Sequence, residues 1–245
     1  MKSPIPWIGG KSQLKNKIVE VFPPDKSYDR FIDVFGGGGS ILFARDKYAA
    51  LEVYNDANSD LVNFFRCLKY HSDELQREIR YYLNSREMFF DCKDHINRRG
   101  FTDIQRAAMF FVLIKTSYGA TLQNFGCCKK VLNTDDFNVL ENRLTEVTIE
   151  NKDYADLIKV YDRPKALFYC DPPYYKTERH YDIKFTQADH KKLCSILHHI
   201  KGKFVLSYND DDYIRSLYSN CNITAVSRNN NLSSGSFKEV IITNF

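Results

Sequence analysis

Four consecutive residues, Asp171-Pro172-Pro173-Tyr174, combine a carboxylate, two prolines and an aromatic ring. They follow Ala166-Leu167-Phe168-Tyr169-Cys170, a short apolar run that reads as a buried strand. Two prolines cannot donate backbone hydrogen bonds, so the strand must stop there in a stiff, extended turn. Such a turn suits transfer to the exocyclic amino group of a base. The N6 nitrogen of adenine is a poor nucleophile, because its lone pair is delocalised into the ring. The Asp171 side chain and the Pro172 carbonyl are two acceptors able to hold both amino hydrogens and push the nitrogen toward a tetrahedral geometry. Tyr174 could stack on a base turned out of a duplex, a contact worth about 1–3 kcal/mol. The plainer alternative is a strand ending in a proline turn, with Tyr174 capping the core.

Positioning such a turn requires a sheet, and the chain supplies its strands. Phe31-Ile32-Asp33-Val34-Phe35 is an apolar strand, turned by Gly36-Gly37-Gly38-Gly39-Ser40 into a helix predicted over Ile41-Leu42-Phe43-Ala44. Strand, glycine turn and helix make a nucleotide-binding βα unit, in which glycine lets a ligand approach the backbone. Leu51-Glu52-Val53-Tyr54-Asn55 is a second strand ending at Asp56. A carboxylate there, about 20 residues after the glycine turn, is placed to accept hydrogen bonds from ribose hydroxyls. The alternative for Asp56, an N-cap, fits Asn58 or Ser59 better. The turn lacks the Gly-x-Gly-x-x-Gly pattern of dinucleotide folds. Upstream, Trp7-Ile8-Gly9-Gly10-Lys11 precedes Leu14, Ile18, Val21 and Phe22 at helical spacing. It is either an anion-receptive helix start assisted by Lys11 or a glycine turn into a surface helix.

Between Leu61 and Ile149 the character changes. Leu61, Phe64, Phe65 and Leu68 mark one amphipathic helix, and Leu75, Ile79, Tyr82 and Leu83 a second. Ile104, Ala108, Phe111, Val112 and Tyr118 mark a third, ended by Gly119. A polar hairpin or loop, Thr121 to Lys130, follows. The stretch holds 13 Lys and Arg against 11 Asp and Glu, a surplus too small to announce a nucleic-acid face by itself. Lys129 and Lys130 are suited to phosphates, or equally to a solvated loop tip. Strand character returns at Val147–Asn151, followed by a helix around Leu157-Ile158. After Tyr174, a polar loop to Lys184 containing His180 and Tyr181 has the length of an active-site lid. Thr186 with Asp189 forms a capping box for a helix reaching Gly202. Phe204–Tyr208 is a strand, and Asn222–Arg228 with Lys238–Thr243 close the chain as an antiparallel edge.

Composition bounds these readings. The 245 residues suffice for one α/β core with an insert, and 43% hydrophobic with 27% charged residues is ordinary for a soluble globular chain. A net charge of +4 is compatible with a polyanionic partner without demanding one. Seven cysteines lack metal-type spacing, Cys127-Cys128 being merely adjacent, and read as reduced thiols in a cytoplasmic setting. Neither a signal peptide nor an apolar run of membrane-spanning length is present.

Taken together, the segments resemble the Dam-like adenine-N6 DNA methyltransferases, with the same motif order along almost the whole chain. Trp7 to Lys11 is similar to that family's N-terminal cofactor motif, and Phe35 to Ser40 to its Phe-x-Gly-x-Gly-Ser turn. Asn55 to Leu61 resembles its Asn-Asp-x-Asn-x-Asp-Leu segment, and Asp171 to Tyr174 its catalytic tetrapeptide. Tyr181, Phe185 and Asp189-His190 match the segment after it, and Glu239-Val240-Ile241-Ile242-Thr243-Asn244 its C-terminal strand.

The resemblance implies an α/β, Rossmann-like methyltransferase sheet, mostly parallel with an antiparallel C-terminal edge. The catalytic domain would comprise residues 1–60 and 150–245, and a helical target-recognition insert residues 61–149. It further implies S-adenosyl-L-methionine as cofactor, duplex DNA as partner and no metal, with neither a membrane nor an obligate protein partner. Asp56 would hold the ribose, while Phe35, Gly37, Gly39 and Ser40 surround the methionine part. Trp7 and Lys11 would contact the cofactor from the other side, and Asp153 and Tyr154 its adenine. Asp171, Pro172 and Tyr174 would grip the target base, while Tyr118, Lys129, Lys130 and Tyr181 face DNA. The departure lies in the insert. Lys115-Thr116-Ser117-Tyr118-Gly119 stands where Dam enzymes carry an Asn-Arg motif, and the hairpin is shorter, as in many phage and prophage members. Related chemistries on cytosine N4, on RNA adenine or on a protein glutamine, and a silent DNA-binding relative, are the alternatives. The leading Asp171 disfavours the glutamine enzymes, which generally carry Asn there.

Overall fold

Strands buried on both faces read as unbroken apolar runs and belong in a parallel sheet covered on each side. Ala166–Cys170 (β4) is such a run, buried at all five positions. In the computed structural model, which describes residues 1–126, 132–176, 185–229 and 236–245, it sits at the centre of a seven-stranded sheet. The other strands are Arg30–Asp33 (β1), Leu51–Asn55 (β2), Val147–Glu150 (β3), Lys203–Asn209 (β5), Asn222–Asn229 (β6) and Ser236–Thr243 (β7). Their order is β3-β2-β1-β4-β5-β7-β6. β1 to β5 pair in parallel, whereas β7 runs antiparallel to both β5 and β6, so the reversed strand lies one place in from the edge.

The order reverses between β1 and β4, the switch point at which open α/β sheets form a ligand crevice beyond their strand ends. The glycine turn leaves β1 there and the proline turn leaves β4 beside it. Register keeps them together: Asp33 pairs with Tyr169, and the Val34 amide donates to the Tyr169 carbonyl at 2.9 Å.

Alternation along β1 and β4 feeds two cores. Ile32, Val34 and Phe168 face one side, covered by Tyr154–Tyr161 (α7), Gln187–His199 (α8) and Asp212–Leu217 (α9). Phe31 and Tyr169 face the other, in one apolar cluster with Ser59–Tyr70 (α2), Ser72–Ile79 (α3), Arg86–His95 (α4), Asp103–Thr116 (α5) and Phe137–Leu144 (α6). Five helices therefore stand where spacing predicts three. α4 buries only Phe89 and Cys92, too thin a stripe for periodicity, although Ser85 caps it by accepting from the Met88 amide. α6 does carry helical spacing, at Phe137, Leu140 and Leu144. α3 stops at Ile79, leaving Tyr82 and Leu83 beyond it, and α5 stops at Thr116, before Gly119.

One further expectation needs correction near the site, and one open choice is decided there. No helix spans Ile41–Ala44; Leu42–Ala44 is a single 3₁₀ turn. The carbonyls a longer helix would use are already taken: the Tyr48 hydroxyl donates to Ile41, and the Arg143 guanidinium to Leu42 and Arg45. The first helix, Lys15–Glu20 (α1), begins four residues after Lys11, because turns with the Gly10 amide on Trp7 and the Leu14 amide on Lys11 intervene. No helix N-terminus opens onto Gly9 and Gly10.

One buried ion pair ties the helical segment to the sheet. Arg143 on α6 binds Glu52 on β2 bidentately at 2.9 and 2.7 Å, with both side chains almost fully buried. Removing one partner of such a pair strands a charge out of water. Arg143→Met should therefore lower unfolding stability by about 3–5 kcal/mol. Urea denaturation followed by circular dichroism measures it, and a loss below about 1 kcal/mol would show that the pair carries little of this interface.

Candidate active site

The glycine turn is held by the residues that flank it. Tyr54, on β2, lies so close to Gly36 that a Cβ there would come within 2.2 Å of its ring, and its hydroxyl donates to the Gly37 carbonyl at 2.6 Å. Gly37 itself has φ +49°, with the Trp7 indole packed where a side chain would be. Gly36 donates to the Asn55 carbonyl at 2.7 Å, which carries the ladder past the end of the strand.

Asp56 closes this corner. Its carboxylate accepts from the Gly37 amide at 2.9 Å and from the Asn58 amide at 2.8 Å, one bond on each oxygen. Burial raises its pKa above the usual carboxylate value, and these amides oppose the rise. A carboxylate oxygen can accept more than one bond, so Asp56 keeps acceptor capacity. Asn58 supplies the helix cap, accepting from the Leu61 amide at 3.0 Å. Asn55 fixes the corner to the next loop, donating to the Val34 and Lys152 carbonyls and accepting from the Lys152 amide.

One cavity runs from this corner to Asp171. Its wall includes Trp7, Lys11, Asp33, Phe35, Gly37, Ser40, Asp56, Asp153, Tyr154 and Asp171. Of the residues singled out from sequence, Gly39 stands behind the wall, turning the chain against Phe43 with φ +76°. Pro172 and Tyr174 also lie off the wall, where Pro173 takes part. Phe35, Tyr154 and Phe185 form an aromatic cluster at one side, with ring centroids 5.6 to 6.0 Å apart. Asp153 caps α7, accepting from the Ala155 amide at 2.9 Å.

Asp171 sits in a closed set of donors. Lys11, itself 3% exposed, places Nζ 2.7 Å from Oδ2 and also donates to the Gly9 carbonyl. Ser207 on β5 donates to Oδ1 at 2.8 Å. Its hydroxyl proton is thereby committed, so the 3.1 Å contact with Tyr169 has the tyrosine as donor. Burial raises the Asp171 pKa, and the Lys11 charge is the largest influence pulling it back. Lys11 also lies 4.8 Å from the centroid of the Tyr174 ring. That ring is only 5% exposed, and its hydroxyl donates to Glu239 at 2.5 Å.

Three polar groups of this site were not identified from sequence: Asp33, Ser207 and the side chain of Glu239. All three interrupt apolar strands, which is the signal that could have found them, since a polar side chain inside a buried strand needs a reason. Asp33 is the clearest. Neither of its buried oxygens meets a donor at good hydrogen-bond geometry; burial, then the charges of Asp171 and Asp56, hold its pKa well above the usual range, and only the Leu42 amide opposes them. The wall also includes Ala120, Thr121 and Leu122, which follow α5. Tyr118 beside them is 68% exposed, outside the cavity. Lys129, Lys130 and Tyr181 lie outside the described residues, as do His180 and the Cys127-Cys128 pair. Among the described residues, no group of His, Cys, Asp and Glu is arranged to hold a metal, and no helix is long and apolar enough to cross a membrane.

The chain is similar along most of its length to known proteins. The chain is 26% identical to a type II methyltransferase of Lactococcus lactis subsp. cremoris, over 98% of this chain and 94% of that one. It is 24% identical to a DNA adenine methylase of Serratia marcescens, covering 90% of this chain and 88% of that protein. It is also 26% identical to the DNA N-6-adenine-methyltransferase of Escherichia phage P1, over 86% of this chain but 30% of that longer protein. The family model of D12 class N6 adenine-specific DNA methyltransferases matches residues 7–232, and the chain belongs to that family.

Proposed function

We propose that this chain transfers a methyl group from S-adenosyl-L-methionine to N6 of an adenine turned out of double-stranded DNA, with the turn after β4 holding the base. The observation that carries this reading is the shared wall: Asp171 opens into the same cavity as the β1 glycine turn and Asp56.

The residues present fit that cofactor. Asp56, Asp153, Asp171 and Asp189 line the cavity beside the buried Asp33, against Lys11 and Lys152, so its field favours a ligand bearing an ammonium and a sulfonium. Asp33, whose buried oxygens lack a donor at good geometry, is a group that such a ligand would satisfy. Asp56 would take the ribose hydroxyls, Phe35, Gly37 and Ser40 would surround the methionine part, and Tyr154 with Asp153 the adenine. When bound, the cofactor supplies a methyl group on an already activated leaving atom.

The chain's own work falls on the target amine. The Asp171 carboxylate and the Pro172 carbonyl accept the two amino hydrogens, which withdraws the nitrogen lone pair from the ring and aims it into the cavity. Asp171 must be ionised to do this, and Lys11 and Ser207 hold it ionised and oriented while leaving acceptor capacity on each oxygen. Stacking beside Tyr174 repays part of the few kcal/mol needed to unstack the base. Lys11, over the ring, must yield some of that face as the base enters. The helical segment 61–149 is assigned to reading the DNA sequence, with exposed Tyr118 next to the cavity wall.

Tritiated-methyl transfer into unmethylated DNA, followed by nucleoside digestion and mass spectrometry, should yield N6-methyladenine. Asp171→Ala should slow it at least about 100-fold. Methylcytosine as product, or incorporation no higher than that of the variant, would overturn the reading. The single-turnover rate should fall as pH drops through the Asp171 pKa, which burial holds above the ordinary carboxylate value. Lys11→Met removes the charge opposing burial, so the acid limb should move to higher pH; a limb that stays in place would refute the role given to Lys11. Asp33→Asn should raise the thermal unfolding midpoint at neutral pH, because a carboxyl whose folded pKa is raised disfavours folding whenever it is ionised. The same change should weaken cofactor binding by calorimetry, and unchanged affinity would remove Asp33 from the ligand site.

A further inference from the structure

Glu239 belongs to the reversed strand, and the reversal decides where it lies. A parallel strand brings its last residues to the edge where the cavity opens. β7 runs the other way and brings its first half there, pairing Glu239 with Asn209 at the end of β5. The side chain is 1% exposed, in a strand that continues Val240, Ile241 and Ile242. A carboxylate so placed is unfavourable unless donors meet it. The Tyr174 hydroxyl does so, 65 positions away in sequence. Glu239 lies close enough to Asp171 for its charge to be felt there, yet the two carboxylates divide the donors between them. Asp171 takes Lys11 and Ser207, and Glu239 takes the phenol.

We infer that Glu239 is a positioning residue for methyl transfer, holding the Tyr174 hydroxyl so that the ring keeps the plane against which the target adenine stacks. The assignment rests on the base-holding role proposed above for the turn after β4. An aromatic ring attached only at Cβ can swing, and a second anchor at its far end removes that freedom before the base arrives. Burial, then the charges of Asp171 and Glu239, hold the Tyr174 phenol far above its ordinary pKa. Its contribution is thus a fixed surface and not a mobile proton. Tyr208 packs against the ring at 5.9 Å, tilted by 37°, and the Lys11 ammonium stands 4.8 Å from its centroid, over the face the base would take.

The test compares wild type with E239Q, E239L, Y174F and the double variant Y174F/E239L. Single-turnover methyl transfer is measured beside calorimetric binding of S-adenosylmethionine. E239L and Y174F remove the same bond from opposite ends, so each should slow transfer about tenfold with cofactor affinity unchanged. E239Q keeps an acceptor oxygen and should lose less than about threefold. The double variant should be no slower than E239L, because both changes remove the same Tyr174–Glu239 bond. A Y174F enzyme as fast as wild type overturns the inference, even where E239L does not fold. So does a double variant whose loss is the product of the two single losses. Absence of transfer by the wild type would instead bring down the parent function, which separates the two failures.

Discussion

A carboxylate taken out of water has to be held by something, and in this molecule most of the site follows from what holds Asp171. Its donors come from two distant places, Lys11 from the N-terminal turns and Ser207 from β5, and Tyr169 of β4 backs the serine. Charge-assisted bonds of this kind are worth more than neutral ones in a low-dielectric setting, and the loss of Lys11 would leave the carboxylate without its counter-charge. Residues 7–11 carry no regular secondary structure of their own, so the Lys11 contact is a principal reason they close one side of the cavity. The chain direction through Ser207 matters too. Because the Asp171 oxygen can only accept, the serine must donate forward and the tyrosine must donate into the serine, which fixes three side chains with one choice.

The same logic explains why the glycine turn and the proline turn are different kinds of rigidity. After β1, the backbone must pass between Tyr54 and Trp7 with no room for a Cβ at Gly36, and the turn is made stiff by its neighbours. After β4, the prolines are stiff by themselves. Placing these two turns side by side requires only that β1 and β4 be adjacent at the point where strand order reverses. β7, by running backwards, then adds a residue from the start of a strand to an edge otherwise built from strand ends.

Much of this was legible in the residues themselves. Ala166–Cys170 and Leu51–Asn55 appear as strands with the bounds their apolar runs suggest. The Thr186–Asp189 capping box and the Asn58 cap are local chemistry, and local chemistry survives folding. What sequence concealed was mostly partnership. The run from Ile41 to Ala44 is apolar enough for a helix, and nothing in it reveals that Arg143, about a hundred residues on, claims the Leu42 carbonyl. Lys11 beside two glycines suggests an anion site, until the tertiary fold brings Asp171 to it. Helices α4 and α9 bury too few residues to show a stripe, α9 burying only Ile214. Periodicity reports how much apolar surface an element hides, so elements that hide little are invisible to it.

Segment 61–149 is not a body hung on the sheet. Phe64, Phe110, Phe111 and Phe137 share one apolar cluster with Phe31, Tyr169 and Val205 of the strands, and α5 is buried almost all round. Its chain leaves that core at Ser117 and immediately forms cavity wall, through Ala120, Thr121 and Leu122. The backbone there is left-handed at Gly119, Ala120 and Leu122, a conformation that costs a non-glycine residue roughly 1 kcal/mol or more. It is held by a short ladder in which Tyr118 donates to Asn124 and Gly126 to Thr116, at 2.8 and 2.7 Å. Lys93 on α4 fastens the same loop by donating to the Gln123 carbonyl at 2.9 Å. The segment proposed to read DNA is thus joined to the cavity wall through these strained positions.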